Sequence, residues 1–252
     1  MTVWRASSLR RENPNQITFA NHASKFPSQR HTNAQVLACL LRDETSIKLL
    51  PPRSSDAFSD GEHLITVAHC LESDVRVIHC GASILELNNQ EVATAWLRRL
   101  RDSDVEAVVY FEDERLSVLD HAGRIESFQT SPYANQLDLC IVYLHESHTR
   151  GTDLRLLRDY RAVVTIGAQL TKDRLTQACM RLQKLGHGQS VTFIVPEEIA
   201  TKIRELTAKT VDNPITVDDV ISWSISETWQ DLKRSMPLWA VQGHRFETTG
   251  IF

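Results

Sequence analysis

The sequence predicts an α/β fold built on a mostly parallel sheet. Leu139–Leu144 and Ala162–Ile166 are continuous apolar runs, the mark of parallel strands covered on both faces. A helix-periodic segment follows the second run, and Ser190–Val195 then makes a third core strand closed by Pro196. At 252 residues, 42% hydrophobic and 24% charged, the chain has ordinary globular composition. That length holds one large domain or one domain with appendages.

Residues 1–62 are rich in Ser, Asn, Arg and Pro, and Pro51-Pro52 and Asp60-Gly61 close the stretch. Only Ala34–Leu41 looks helical there, so this segment is expected to be loose or dependent on a partner. An ordered domain is expected over 63–210. Val75–His79 reads as a short strand, and Asn89–Arg101 as an amphipathic helix with Val92, Ala95, Trp96 and Leu100 at helical spacing. Val105–Phe111, Arg115–Asp120 and Arg124–Phe128 form a small meander with turns at Glu112–Glu114 and His121-Ala122-Gly123. The helix Lys172–Leu185 starts after Thr171 and stops at Gly186, with Leu175, Cys179, Leu182 and Leu185 on its apolar face. Glu197–Leu206 is a short helix with acids in its first turn. Residues 211–252 form a helical extension, whose helix runs roughly Val217–Arg234 and opens on Thr216 and Asp219.

A net charge of −4 gives no general pull toward nucleic acid or an anionic membrane. No apolar run approaches the roughly 20 residues needed to span a bilayer. The first thirty residues carry five basic residues and one acid, Glu12, which faintly resembles a mitochondrial transit peptide; a disordered tail is the simpler reading. The five cysteines (Cys39, Cys70, Cys80, Cys140 and Cys179) have no CxxC spacing, and several lie in apolar runs. Free thiols in a reducing cytosol or nucleus fit this usage.

Two motifs stand out. Arg150-Gly151-Thr152-Asp153 is a turn after the first parallel strand. In Gln177-Ala-Cys-Met-Arg181-Leu-Gln-Lys184, offsets of four and seven put Gln177, Arg181 and Lys184 on nearly one helix face. Strand, glycine turn, strand and Gln-x3-Arg-x2-Lys helix together resemble the second RecA-like lobe of superfamily 2 helicases and of the SecA motor. The resemblance implies a RecA-like sheet and a nucleotide-facing role for Gly151, Asp153, Gln177, Arg181 and Lys184. It also implies a first RecA-like lobe supplied by a partner. Lys184 stands where the family has a second Arg, a point charge in place of a bidentate fork. No Gly-x4-Gly-Lys-Ser/Thr loop occurs, so the chain alone is not expected to hydrolyse ATP.

A closer resemblance rests on four stretches: Gly81–Ala93, Gln136–Leu154, Tyr160–Val195, and Ile221–Phe246 with its Ser-Glu-Thr-Trp and Met-Pro-Leu-Trp-Ala-Val-Gln-Gly words. Together they resemble the C-terminal part of very large fungal ubiquitinyl hydrolases, or ubiquitin thioesterases, over about residues 74–247. The resemblance implies a thiol-dependent deubiquitinase of the ubiquitin pathway, with ubiquitin or a ubiquitinated protein as partner, of which this chain is a C-terminal piece. Those relatives tend to read Leu-Asp-Glu-Ala-His before Thr-Arg-Gly. Here the segment is Leu144-His145-Glu146-Ser147-His148, and His145 replaces the carboxylate. Likewise His79-Cys80-Gly81-Ala82 stands where they carry Asp-Val-Gly-Ala.

No catalytic residue is assignable from the sequence. Cys140 and His148 could be nucleophile and base, but Cys140 lies in an apolar strand where an inert thiol is the default. Cys179 shares the apolar spacing of Leu175 and Leu182. His145 and His148, His69-Cys70 and His79-Cys80 resemble ligand pairs but lack paired knuckles, so no metal site and no bound cofactor are expected. Trp223, Trp229 and Trp239 are either partner anchors or residues whose packing partner is absent.

Overall fold

The computed structural model describes residues 32–51, 59–71, 75–80, 87–100, 104–113, 115–145, 154 and 156–249. In chain order the elements are α1 (Thr32–Leu40), β1 (Ser46–Leu49), α2 (Asp60–Leu71), β2 (Val75–Cys80), α3 (Asn89–Arg99), β3 (Ala107–Glu112), β4 (Arg115–Asp120) and β5 (Ile125–Ser127). After short 3-10 turns come β6 (Cys140–His145), β7 (Arg161–Thr165), α4 (Lys172–Cys179), β8 (Ser190–Val195), α5 (Glu197–Thr207) and α6 (Val217–Thr249).

Among the described residues the eight strands form one sheet in the order β1-β8-β7-β2-β6-β3-β4-β5. The first six are mutually parallel, and β4 and β5 add antiparallel strands at one edge. The expected meander is β3-β4-β5, but it is not a separate unit. Its first strand pairs in parallel with β6, so it completes the same sheet.

The apolar runs are continuous because both faces are covered. Side chains alternate along each strand, so Val77, Val109, Val142, Val164 and Phe193 enter one core. Their neighbours Ile78, Val108, Ile141, Val163 and Ile194 enter the other. The first core is roofed by α4, α5 and the start of α6 through Leu175, Cys179, Ile199, Ile203, Val220 and Trp223. The second is roofed by α2 and α3 through Leu64, Ile65, Ala68, Val92, Trp96 and Leu97. Removing a side chain such as Trp96, which is fully buried, costs about 3–5 kcal/mol.

Local signals set the helix starts. Asn88 and Glu91 form a reciprocal capping box for α3, with Glu91 N–H donating to Asn88 Oδ1 at 2.9 Å and Asn88 N–H to Glu91 Oε2 at 2.8 Å. Thr216 and Asp219 do the same for α6, and the Lys209 ammonium closes on the same carboxylate.

Three expectations change. The segment read as loose supplies α1 and β1 from Thr32 onward, because Leu40 is fully buried and β1 pairs with β8. The C-terminal helix does not stop near Arg234 but runs through Pro237 to Thr249. The helix expected over Lys172–Leu185 ends at Cys179, with Met180 as its C-cap. No helix among the described residues is long and apolar enough to cross a membrane.

Candidate functional site

The shortened α4 carries only the first residue of the motif formed by Gln177, Arg181 and Lys184. Gln177 stays on the helix, half-buried, whereas Arg181 and Lys184 lie in the turn that follows. Leu182 and Leu185 are buried, as a continuing helix would also have them, but the chain turns instead into β8. Gly186 and Gly188 adopt φ of +75° and +114°, conformations that favour glycine. A buried Gln189 side chain pins the turn: its Oε1 accepts from Lys184 N–H at 2.8 Å, and its Nε2 donates to Leu157 O at 2.7 Å. Gly151 and Asp153 lie outside the described residues, as does His148.

Two distant arginines converge on this turn. Arg42, just past α1, donates from Nη1 to Gly186 O at 3.0 Å, and Arg158, just before β7, donates from Nε to His187 O at 3.0 Å. Both partners are neutral carbonyls, and neither guanidinium has an ion pair among the described residues. Lys184 and His187 are exposed beside them. Asp43, Glu44 and Asp159 are exposed neighbours in sequence, so the surface is mixed in charge and the guanidinium pair is its organised part. A cleft of about 670 Å³ opens between α1 and the turn, lined by Gln35, Cys39, Arg42, Met180, Gln183 and His187 among others. The chemistry available there is anion recognition, by planar donors already held in place by backbone carbonyls.

The turn sits at the amino ends of β7 and β8. Ligands of open α/β sheets usually bind at the opposite, carboxyl edge, near the point where the strand order reverses. At that edge Cys80 of β2 stands opposite His145 of β6 and opposite Thr165 of β7. His145 thus comes alongside a cysteine from a strand 65 positions earlier in the sequence, a juxtaposition no local spacing reveals.

The remaining cysteines divide by burial. Burial pushes the Cys140 thiol up to about 12, reinforced by Asp138 and Glu106 and only partly opposed by Arg76. Burial alone does the same to Cys179. Neither carries thiolate near neutral pH, so the pairing of Cys140 with His148 is not supported as a nucleophile and base. Cys39 is half-buried in the cleft and Cys70 is exposed. Among the described residues no group of three or more His, Cys, Asp or Glu side chains is placed to hold a metal ion.

Sequence reasoning missed Arg42, Arg158, Cys39 and Gln189. The two glycines were visible, but the arginines meet them only through long-range packing. No family model, curated protein or solved structure matches the chain.

Proposed function

We propose that the chain is a non-catalytic α/β lobe that senses the phosphate end of a nucleotide, of the kind found second in superfamily 2 helicases. The observation that carries this reading is the pair of guanidiniums, Arg42 and Arg158, fixed on the Gly186-His187-Gly188 turn without a carboxylate partner among the described residues. A phosphate would add charge-assisted hydrogen bonds to donors already ordered. The segment that holds this turn is the one that resembles the helicase motif, although its arginine and lysine lie beyond the helix. Titration calorimetry with ATP and with tripolyphosphate tests the reading. Binding is expected in the micromolar-to-millimolar range, with Arg42→Ala and Arg158→Ala each weakening it at least about fivefold, the loss of one charged hydrogen bond. No binding at several millimolar ligand, or binding indifferent to both substitutions, sinks it.

A second reading, the thiol-dependent ubiquitinyl hydrolase, draws support from one observation. Cys80 and His145 share a register position at the carboxyl ends of adjacent parallel strands. A nucleophilic thiolate needs such a base, since a free thiol is mostly protonated at neutral pH. Intact-mass analysis after incubation with a ubiquitin carrying a C-terminal electrophile decides it. A one-ubiquitin adduct lost in Cys80→Ala alone supports the reading; no adduct from folded protein removes it.

A further inference from the structure

The projecting half of α6 carries a stripe that the phosphate reading does not use. Ile225, Trp229, Leu232, Met236, Trp239, Gly243 and Phe246 follow one another at separations of four, three, four, three, four and three residues. This is the seam of a heptad repeat sustained over three heptads. The stripe is bare. Trp229, Met236, Trp239 and Phe246 are 56%, 58%, 55% and 70% exposed. The helix is anchored up to Thr228, whose hydroxyl accepts from Lys172 N–H at 2.8 Å. From Trp229 to Phe246 every side chain but Ser235 is exposed.

An ordinary surface helix has a 3.6-residue period, and a strict seven-residue repeat drifts around it unless a partner helix supercoils with it. The partner must carry the same period, and a second α6 does so by construction. Between Ile225 and Phe246 the positions flanking the seam are Ser226, Thr228, Lys233, Ser235, Ala240 and Gln242, so one charge borders it within that span. That charge is drawn back over the Trp229 ring, with Lys233 Nζ 5.2 Å from the centroid. The outer face mixes Glu227 and Asp231 with Arg234 and Arg245, which gives two copies no large repulsion and an anionic bilayer no cationic band to hold. Gly243 stands on the stripe in open space, where an added Cβ would meet nothing within 4 Å. The first 31 residues carry no such repeat. Pro237, Leu238 and Val241 fall off the stripe.

We propose that residues 225–246 of α6 pair with the same residues of a second copy in a two-stranded coiled coil of about 33 Å, at 1.5 Å per residue, making the protein a dimer. Sedimentation velocity on the full chain from about 1 to 100 μM tests this, with Met236→Asp on the seam and Leu238→Asp off it. Far-UV circular dichroism and thermal melts serve as folding controls. The expected result is a reversible dimer whose dissociation constant rises at least about tenfold with Met236→Asp, because a carboxylate on a dry seam must be desolvated, and is unchanged with Leu238→Asp. A monomer at every concentration overturns the proposal and leaves a different occupant for the stripe. So does a dimer that survives Met236→Asp or is lost with Leu238→Asp. A monomer that binds anionic vesicles assigns the stripe to a membrane surface instead.

Discussion

Individual side chains set which thiols can react. Cys140 and Cys179 sit in the core with thiols pushed up to about 12, whereas Cys70 is exposed and Cys39 borders the cleft. A thiol reagent at neutral pH is therefore expected to label Cys70 and Cys39 in native protein and to reach Cys140 and Cys179 only on unfolding; peptide mass mapping with time reads the order. The glycines of the site give a second residue-level test. A Cβ on Gly188 would lie 2.8 Å from the Arg158 backbone oxygen, and one on Gly186 would lie 2.6 Å from the movable end of Arg42. Gly123 has φ +79° with open space around it. Alanine at Gly123 thus meets only the left-handed backbone cost of about 1–2 kcal/mol. Chemical denaturation is expected to rank the losses Gly188→Ala, then Gly186→Ala, then Gly123→Ala. Gly186→Ala is also expected to weaken phosphate binding by displacing Arg42.

Helix ends are where single substitutions act on whole elements. The C-cap of α5 is Ala208 at φ +53°, with Lys209 N–H returning to Arg204 O at 3.0 Å. Alanine is strained there and glycine is not, so Ala208→Gly is expected to raise unfolding free energy by about 0.5–1 kcal/mol, after allowing for glycine's looser unfolded chain. The start of α6 has a pH signature. Burial works against ionisation of Asp219, but the Lys209 ammonium and the Thr216 N–H and hydroxyl outweigh it and hold the carboxyl below its ordinary range. Because the folded pKa is the lower one, this contribution is complete above the unfolded carboxylate value of about 3.9 and is lost as pH falls through the folded value. Asp219→Asn is expected to lower stability at neutral pH and to flatten the acid loss below about pH 4. Melts from pH 7 to pH 2 that stay parallel for the two proteins contradict the assignment.

The molecule as a whole combines a thick, two-faced sheet with a bare helix. Strands β2, β6 and β7 lie at the centre of the sheet, with both cores packed on them. Their amides are expected to exchange with solvent last, on the timescale of global unfolding. Amides of α6 beyond Thr228 are expected to exchange fast at low protein concentration and to gain protection as concentration rises, if the seam pairs as proposed. Protection of that segment independent of concentration points to an occupant from within the chain.

Hydrophobic period by itself determined the α/β class, the central strands and the spacing of most helices. A strand buried on both faces must be apolar at every position, and an amphipathic helix must repeat near every third or fourth. The four-and-three spacing from Ile225 to Phe246 is present in the sequence too, but it becomes one helix face only because α6 runs on past Arg234 to Thr249. Tertiary structure alone decided three things. It ended α4 at Cys179, where a turn closed on the Gln189 side chain and passing through Gly186 and Gly188 at positive φ replaces the rest of the expected helix. It recruited residues 32–49, whose composition looks loose, by giving Leu40 a core and β1 an open sheet edge. And it assembled the candidate sites, bringing Arg42 to a glycine turn 144 residues away and Cys80 beside His145. Periodicity records only what lies within a turn or a pleat of a residue, whereas contacts such as these exist only once the sheet has closed.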